Sequence, residues 1–371
     1  MKRREFLSKG ISATAGSAFM LGLGRKAGAQ NKERKSHPLY FDGLTFFGED
    51  KEGIRKSGLS GLIWDISAGE IVEGKYIRKM IPSLKSTAKA IKLLRNNEQG
   101  LFLATKGSQV REAHKTGRTA VFLQFQSLEP ITEDLDMMDV FYEMGIRILQ
   151  ITHHYGNVFA GGCLVKEFTG LTDLGVKAVE RMNEMGIVPD VSHGNEVLGT
   201  DVARVSKKPV IISHTGCRAL VKNARCAPDS VIKAVADTGG VVGIFSMSFW
   251  LTEDPEPTVD HYIQQLEHVI NVGGIDAVGV SNDYDVIGHS GATKVKNNNE
   301  VAVKGYFPWW KQHEGIMGFD ELPKHCVIPE LNNVKRFFTI QAALEKKGYK
   351  SHDIEKIMGG NWVRVLTESL G

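Results

Sequence analysis

The chain has 371 residues, of which 42% are hydrophobic, so it can bury a large core as one big domain or two smaller ones. Its formal charge is +3, but residues 1–29 carry six basic side chains against one acidic, and the remainder is therefore −2. A main body so close to neutral gives no reason to expect nucleic acid or an anionic membrane as a partner.

The first 29 residues have the pattern of an export signal. Arg3 and Arg4 precede the apolar, small-residue stretch GISATAGSAFMLGLG, which is too short to span a bilayer comfortably. Ala27-Gly28-Ala29 fits an A-x-A cleavage site. Twin arginines are typical of Tat signals. We expect a signal peptide over 1–29 and a periplasmic or exported protein over 30–371, without a membrane span.

Eight short apolar runs alternate with helical patterns along the rest of the chain. Helices are predicted from about Gly74 to Arg95, from a Thr132 N-cap to Gly145, and from a Thr172 N-cap to Gly186. The segment from Gly288 to Asp320 lacks periodicity and is predicted to be a long loop. The apolar runs predict strands at 39–47, 61–67, 120–126, 146–153, 187–193, 209–214, 240–246 and 277–283.

Strand–helix alternation repeated eight times, without hairpin signals, predicts a single (β/α)8 barrel of the TIM type. A doubly wound open sheet is the alternative. Polar side chains stand at or just past the end of five strands, namely Gln126, His153, His193, His214 and Asp283. In a barrel, those strand ends converge on one mouth, where catalytic groups lie.

The pattern apolar-Ser-His occurs at the ends of two successive predicted strands, with a helix between them. A βαβ unit makes the strands parallel, so His193 and His214 are expected side by side. Paired imidazoles are good ligands for Zn²⁺ or another divalent metal. The alternative is that each histidine caps a strand and binds only backbone, but the repetition favours a site.

Four other side chains are candidates for chemistry at this mouth. Asp283 could bind metal or accept a proton from water, and His153 could stabilise an oxyanion. His154 is interpreted as a solvent-facing loop residue. Arg225 could grip a substrate carboxylate or form a surface ion pair, and the residues leave both open.

The four cysteines follow no CxxC pattern. Cys217 and Cys226 could form a disulfide in an exported protein, and buried free thiols are equally compatible with the sequence. Cys217 could also supply a thiolate to a metal held by His214, although a buried thiol is the favoured interpretation.

Several blocks resemble the membrane (renal) dipeptidase family. They include EDLDMMDVFYEMGIRILQITHHYGN, GLTDLGVKAVERMNEMGIVPDVSH, KPVIISHTGCRAL, ARCAPDSVIKAVADTGGVV, GIDAVGVSNDYD and GYKSHDIEKIMGGNWVRVL. The resemblance covers nearly all of the chain after residue 29, in order and at matching spacing. It implies a barrel of the amidohydrolase type that cleaves dipeptides, which are small-molecule substrates, at a two-zinc centre.

The resemblance also implies roles for individual residues. His193 and His214 match the two histidine ligands of one metal, and His153 matches the histidine that polarises the substrate. Arg225 matches the arginine that holds the free carboxylate. Asp283, in NDYD, matches the aspartate that serves the other metal and proton transfer.

The chain departs from the family pattern at the metal site that does not include His193 and His214. Leu44 and Phe46 stand where the first strand of the family carries a histidine and an aspartate that bind it, and Gln126 replaces the bridging glutamate. An amide is a weaker ligand than a carboxylate. The chain is therefore expected to hold one ion, on His193 and His214 with Gln126 as a further ligand.

Two other functions remain open at this point. The missing ligands favour an exported pseudoenzyme that binds a peptide or cell-wall fragment without cutting it. A one-metal amidohydrolase acting on a non-peptide substrate is the other alternative. Two tightly held ions would require Asp42, Glu49 or Asp65 to rebuild the first site. A homodimer is compatible with the sequence.

Overall fold

The computed structural model describes residues 37–46, 51–73, 75–96, 100–165, 167, 169–288 and 325–371. The predicted signal peptide lies outside the described residues, and so does the predicted loop beyond residue 288.

The core is a barrel of eight parallel strands, in which each strand lies beside the barrel strand that precedes it in the chain. It closes where the backbone amides of Asn282 and Asp283 donate to the carbonyl of Leu44, at 3.2 and 2.9 Å. The strands of the barrel are β1 Tyr40–Thr45, β2 Leu59–Asp65, β6 Thr119–Phe125, β7 Ile146–Gln150, β8 Val188–Asp190, β9 Ile211–Thr215, β10 Val241–Ile244 and β11 Val278–Val280. Outside the closed path lie β3 Gly69–Val72, β4 Lys75–Arg78 and β5 Leu101–Leu103, the last pairing with β6.

Helices between and after the strands form the outer layer. No helix in the described part of the chain combines the length and apolar character needed to cross a membrane. The helices are α1 Lys51–Ser57, α2 Met80–Arg95, α3 Ser108–Thr116, α4 Met137–Glu143, α5 Asp173–Met185, α6 Glu196–Val205, α7 Asp229–Asp237, α8 Val259–Gly273, α9 Arg336–Lys346, α10 Ser351–Glu355 and α11 Asn361–Leu370.

The predicted (β/α)8 barrel is confirmed, and each of the eight predicted apolar runs overlaps one barrel strand. Parallel strands covered on both faces have nearly continuous apolar sequences, so they can be predicted from the sequence alone. In β6, for example, all seven residues are buried. The predicted cap at Thr172 is also present, since its hydroxyl oxygen accepts a hydrogen bond from the amide of Gly175 at 3.1 Å.

The helix predicted from Gly74 is wrong over its first turn and a half. Strands β3 and β4 form an antiparallel hairpin in which Val72 pairs with Lys75, and α2 begins only at Met80. Glu73, in the two-residue turn, has a φ of 48°, as such hairpin turns require. The prediction that the chain lacks hairpins is therefore also wrong, because a short exposed ribbon gives little hydrophobic signal.

The N-cap predicted at Thr132 is wrong as well. Thr132 has a φ of 61° and follows a single 3₁₀ turn, Glu129–Ile131, which contains Pro130. A further turn, in which Asp134 accepts a hydrogen bond from the amide of Asp136 at 3.1 Å, delays helix α4 to Met137. Local side-chain bonds of this kind compete with helix formation.

All four cysteines are free and buried, so the Cys217–Cys226 disulfide is not formed. Burial raises the pKa of Cys217 well above that of an exposed thiol. Its sulfur lies 3.6 Å from the carbonyl oxygen of Gln265. Cys217 is therefore a buried thiol and not a thiolate ligand.

The indole of Trp362, on α11, fills the inside of the barrel. Its N–H donates to the carbonyl of Val280 at 3.1 Å, and it stacks on Phe41 with ring centroids 5.7 Å apart. A Cβ atom at Gly43 or Gly279 would lie 2.5 or 2.4 Å from the indole. These glycines are required because only the absence of a side chain leaves room for the ring.

Trp362→Ala should destabilise the protein by about 3–5 kcal/mol, because it removes a fully buried indole from a barrel that cannot collapse around the cavity. Urea unfolding measures the change. Ile81→Ala, at a position 58% exposed, is the control and should change stability by less than about 0.5 kcal/mol. Equal losses of stability in the two variants would contradict the inference that the indole is needed to fill the inside of the barrel.

Candidate active site

His193 and His214 lie side by side at the mouth of the barrel, as the βαβ pattern predicts. His214 is in β9, and His193 follows the end of β8 by three residues. Their Nε2 atoms are 2.7 Å apart, and both side chains are buried. His193 has a φ of 63°, a costly conformation for a non-glycine residue that is concentrated at functional sites.

The hydrogen-bond network beneath His214 fixes its tautomer. The hydroxyl of Ser213 donates to the buried carboxylate of Asp190 at 2.5 Å, so its oxygen must accept from Nδ1 of His214, 2.8 Å away. Asp190 is itself held by the amide and hydroxyl of Ser192, at 2.9 and 2.7 Å. We assign the proton to Nδ1, which leaves Nε2 of His214 with a free lone pair.

The partners of His193 assign it the same tautomer. The guanidinium of Arg225 donates to Nε2 of His193 at 3.1 Å, and Nδ1 lies 3.0 Å from Nδ1 of His154. Burial, and then the charge of Arg225, hold the pKa of both His193 and His214 well below the usual range. The Nε2 atoms of two neutral imidazoles thus lie together, and an ion held by both would take the place of Arg225 at Nε2 of His193.

His153 and His154 extend this cluster. The ring of His153 stacks on His193 with centroids 4.0 Å apart. His154 is only 1% exposed, so its interpretation as a solvent-facing residue is wrong. Ring nitrogens of His153, His154 and His193 all lie within 4.8 Å of one another. The histidine cluster, defined as these three residues with His214, is the set of side chains at the mouth best suited to hold a metal.

Arg225 is buried beside the histidine cluster and does not form a surface ion pair. It is 2% exposed, and its second bond from Nη2 is to the carbonyl of His214 at 3.1 Å. The guanidinium packs near the rings of Phe245 and Trp250, at 5.1 and 5.4 Å from their centroids. Its Nε and Nη1 atoms have no hydrogen-bond partner among the described residues.

Asp283 completes this side of the mouth. Its Oδ1 lies 3.9 Å from Nε2 of His214. It has a φ of 68°, and its amide is anchored on the carbonyl of Leu44 at the seam that closes the barrel. Burial raises the pKa of Asp283 to about 7. A carboxyl group of this kind can take up and return a proton near neutral pH.

Gln126 lies on the opposite side of the mouth and is already engaged. Its Oε1, the atom that could ligate a metal, accepts a hydrogen bond from Nη2 of Arg78 at 3.0 Å. Arg78 is 5% exposed and also donates from Nε to the hydroxyl of Ser67 at 2.8 Å. A cation beside this amide opposes a divalent ion at the same oxygen.

Arg78 was not predicted from the sequence as a site residue. Arg78 is the last residue of β4, so its position depends on the hairpin of β3 and β4. The sequence pattern had predicted a helix in place of β4, so the hairpin was missed. The signal that could have found it is Glu73-Gly74, a turn dipeptide between the β-prone segments EIV and KYIR.

Three residues discussed for the first metal site, Leu44, Asp42 and Asp65, are buried or hydrogen-bonded. Leu44 is fully buried. The carboxylate of Asp42 accepts from the amide of Leu44 and the side chain of Asn282, and burial raises its pKa to about 7. Oδ1 of Asp65 accepts from Ser67, at 2.9 and 2.6 Å. Glu49 lies outside the described residues.

A family model described as membrane dipeptidase (peptidase family M19) matches residues 47–302, which is more than half of the chain. The chain belongs to this family. The resemblance identified from the sequence blocks is therefore confirmed.

Individual members of the membrane dipeptidase family are similar at low identity. The dipeptidase tcpJ of Claviceps purpurea (strain 20.1) is 27% identical over 294 residues, which cover 77% of this chain and 60% of that protein. The dipeptidase verJ of Clonostachys rogersoniana is 26% identical over 85% of this chain and 74% of that protein. The chain thus spans less than two thirds of the Claviceps protein.

Among solved structures, an amidohydrolase from Pseudomonas aeruginosa superposes with a TM-score of 0.78. It is 26% identical, and the match covers 92% of this chain and 99% of that one. The fold of that amidohydrolase is therefore shared along nearly the whole chain.

Proposed function

We propose that this chain is a metal-dependent hydrolase of small amides, and that dipeptide-like compounds are its substrates. The observation that carries the proposal is the pair of Nε2 atoms of His193 and His214, which lie 2.7 Å apart in two buried imidazoles. Membership of the membrane dipeptidase family supports the same chemistry. The chemistry of the donors fits one ion, since neutral imidazoles suit Zn²⁺ and other divalent metals.

Each residue has a separate role in this proposal. His193 and His214 hold the ion, which supplies Lewis acidity when bound. Asp283 accepts the proton of the attacking water and returns it to the leaving amine, since its pKa is raised to about 7 by burial. His153 is neutral, because burial lowers its pKa well below the usual range, and it donates a hydrogen bond to the oxyanion.

Arg225 binds the carboxylate at the end of the substrate. Its Nε and Nη1 atoms supply donors that no described residue uses, and the aromatic rings beside it exclude water. A charge-assisted hydrogen bond is stronger where water is excluded. Substrates without a terminal carboxylate should therefore be poor.

Hydrolysis of a panel of dipeptides and N-acyl amino acids by the purified, metal-loaded protein tests the function. Turnover should require a terminal carboxylate and disappear after metal removal with a chelator. C-terminally amidated versions of the same compounds are the matched controls. Binding without turnover of any amide would favour the alternative, a binding protein that does not cut its ligand.

We predict one tightly held metal ion per chain. Leu44 and Phe46 cannot ligate, and the charge of Arg78 at Gln126 opposes a second cation. Elemental analysis after gentle purification measures the stoichiometry. Two retained ions per chain would contradict the prediction and would indicate that Asp42, Asp65 or Glu49 supplies ligands to a second ion.

We also propose that the protein is exported through the twin-arginine route. Arg3-Arg4, the apolar stretch after them and Ala27-Gly28-Ala29 support it. Mass spectrometry of the protein from a periplasmic fraction should find a mature start near Gln30. An intact Met1 in a cytoplasmic fraction would refute the proposal.

A further inference from the structure

Two buried arginines face the mouth of the barrel without a carboxylate partner. Arg78 is 5% exposed and Arg225 is 2% exposed. In the part of the chain that the structure describes, neither guanidinium has a carboxylate oxygen within 4.0 Å. Asp65 and Glu129 act on Arg78, and Asp283 acts on Arg225, only from beyond that distance, so each guanidinium keeps buried donors that suit a ligand with negative charge.

The two arginines lie on different sides of the histidine cluster. Arg78 bonds to Ser67 and Gln126, which follow β2 and β6, whereas Arg225 bonds to His193 and His214, at β8 and β9. Strand β7, which leads to His153, lies between these pairs in the barrel order. The charges of both arginines lower the pKa of His153. Arg225 and Arg78 are therefore placed so that a substrate held by both would lie across the cluster.

Arg78 and Gln126 both retain unused donors. Nη1 of Arg78 and Nε2 of Gln126 are buried, and neither has a hydrogen-bond partner among the described residues. Each nearby carboxylate has one oxygen that is already hydrogen-bonded. Oε2 of Glu129 accepts from the backbone amide of Arg78 at 3.0 Å, and Oδ1 of Asp65 accepts from Ser67 and from the amide of Gln126.

We propose that Arg78 and Gln126 bind a carboxylate on the acyl side of the scissile amide. The favoured substrate is then an amide with a carboxylate at each end, such as an N-dicarboxylyl amino acid, and not a dipeptide with a free ammonium group. This inference rests on the proposed function for the position of the amide. A free ammonium group would meet a buried guanidinium, and like charges brought together in this way exclude a ligand.

Binding of three chains of equal length, none of which can be hydrolysed, tests the inference by calorimetry. Heptanedioate carries two carboxylates, heptanoate carries one, and ε-aminocaproate carries one carboxylate and one ammonium. The dianion should bind at least about 10-fold more tightly than heptanoate, since a charge-assisted bond to a buried arginine is worth that much. ε-Aminocaproate should bind most weakly.

Variants separate the two arginines. Arg78→Met should abolish the difference between heptanedioate and heptanoate while leaving the affinity for heptanoate unchanged. Arg78→Lys keeps the positive charge and should retain part of the difference in affinity between heptanedioate and heptanoate. A purely structural role of Arg78 would not explain that retention. Arg225→Met should weaken both ligands. Circular dichroism and the melting temperature identify any variant that fails to fold. If Arg78→Met does not fold, the affinities of Arg78→Lys test the inference instead.

The outcomes distinguish this inference from the proposed function. Equal affinity for heptanedioate and heptanoate in the parent, or a preference that survives in folded Arg78→Met, would overturn the inference. Faster hydrolysis of alanylalanine than of N-succinylalanine would also overturn it while sustaining the proposed function. A dianion preference that depends on Arg78, in a protein that cleaves no amide, would sustain the subsite and refute the hydrolase.

Discussion

His193→Ala and His214→Ala should each empty the metal site and abolish hydrolysis. Each change removes one of the two Nε2 atoms that hold the ion as a pair, and the divalent ion is then held poorly. Metal content measured after dialysis should fall from about one ion per chain to a small fraction. The metal-free melting temperature should change little, because residues at the barrel mouth contribute to function more than to stability.

His114→Ala is the matched control for these two variants. His114 bonds to the hydroxyl of Ser60 at 2.8 Å, on helix α3 and away from the histidine cluster. Its removal should leave metal content and turnover unchanged. The structural alternative, in which His193 and His214 serve only as strand caps, predicts the opposite pattern. Each His→Ala change would then lower the melting temperature while the metal content stayed the same.

The barrel could be predicted from the sequence because its strands are covered on both faces. A continuous apolar run such as AVFLQF marks a buried strand regardless of what packs against it. The hairpin of β3 and β4 could not be predicted in the same way. Ile71 is 67% exposed, so the ribbon lacks a buried face, and its residues also fit the periodicity of the helix that follows.

The position of the candidate site was predictable, but its hydrogen bonds were not. A βαβ unit places His193 beside His214 through local connectivity alone. The burial of His154 depends on contacts with His193, 39 residues away, and that of Arg225 on packing near Phe245 and Trp250. Arg78 reaches Gln126 from a hairpin 48 residues earlier in the chain. Such contacts are set by tertiary packing, which no local pattern encodes.

Asp283→Asn should abolish hydrolysis while leaving the metal in place. The amide keeps the shape of the carboxyl group but cannot accept the proton of the attacking water at neutral pH. Removal of a general base costs about 10²–10⁴-fold in rate. The ion should remain because His193 and His214 are untouched, and Asp283 is 3.9 Å from the nearer of them. Turnover number and metal content on one preparation measure both effects.

Asp285→Asn is the matched control, since it makes the same chemical change two residues further along the same segment. Oδ1 of Asp285 accepts a hydrogen bond from the amide of Ile287 at 3.1 Å, and the oxygen of an asparagine can do the same. This variant should therefore keep the turnover of the parent. Unchanged turnover in Asp283→Asn would exclude Asp283 as the proton acceptor. If the variant loses both metal and turnover, Asp283 is instead a metal ligand, because loss of the ion then explains the loss of activity.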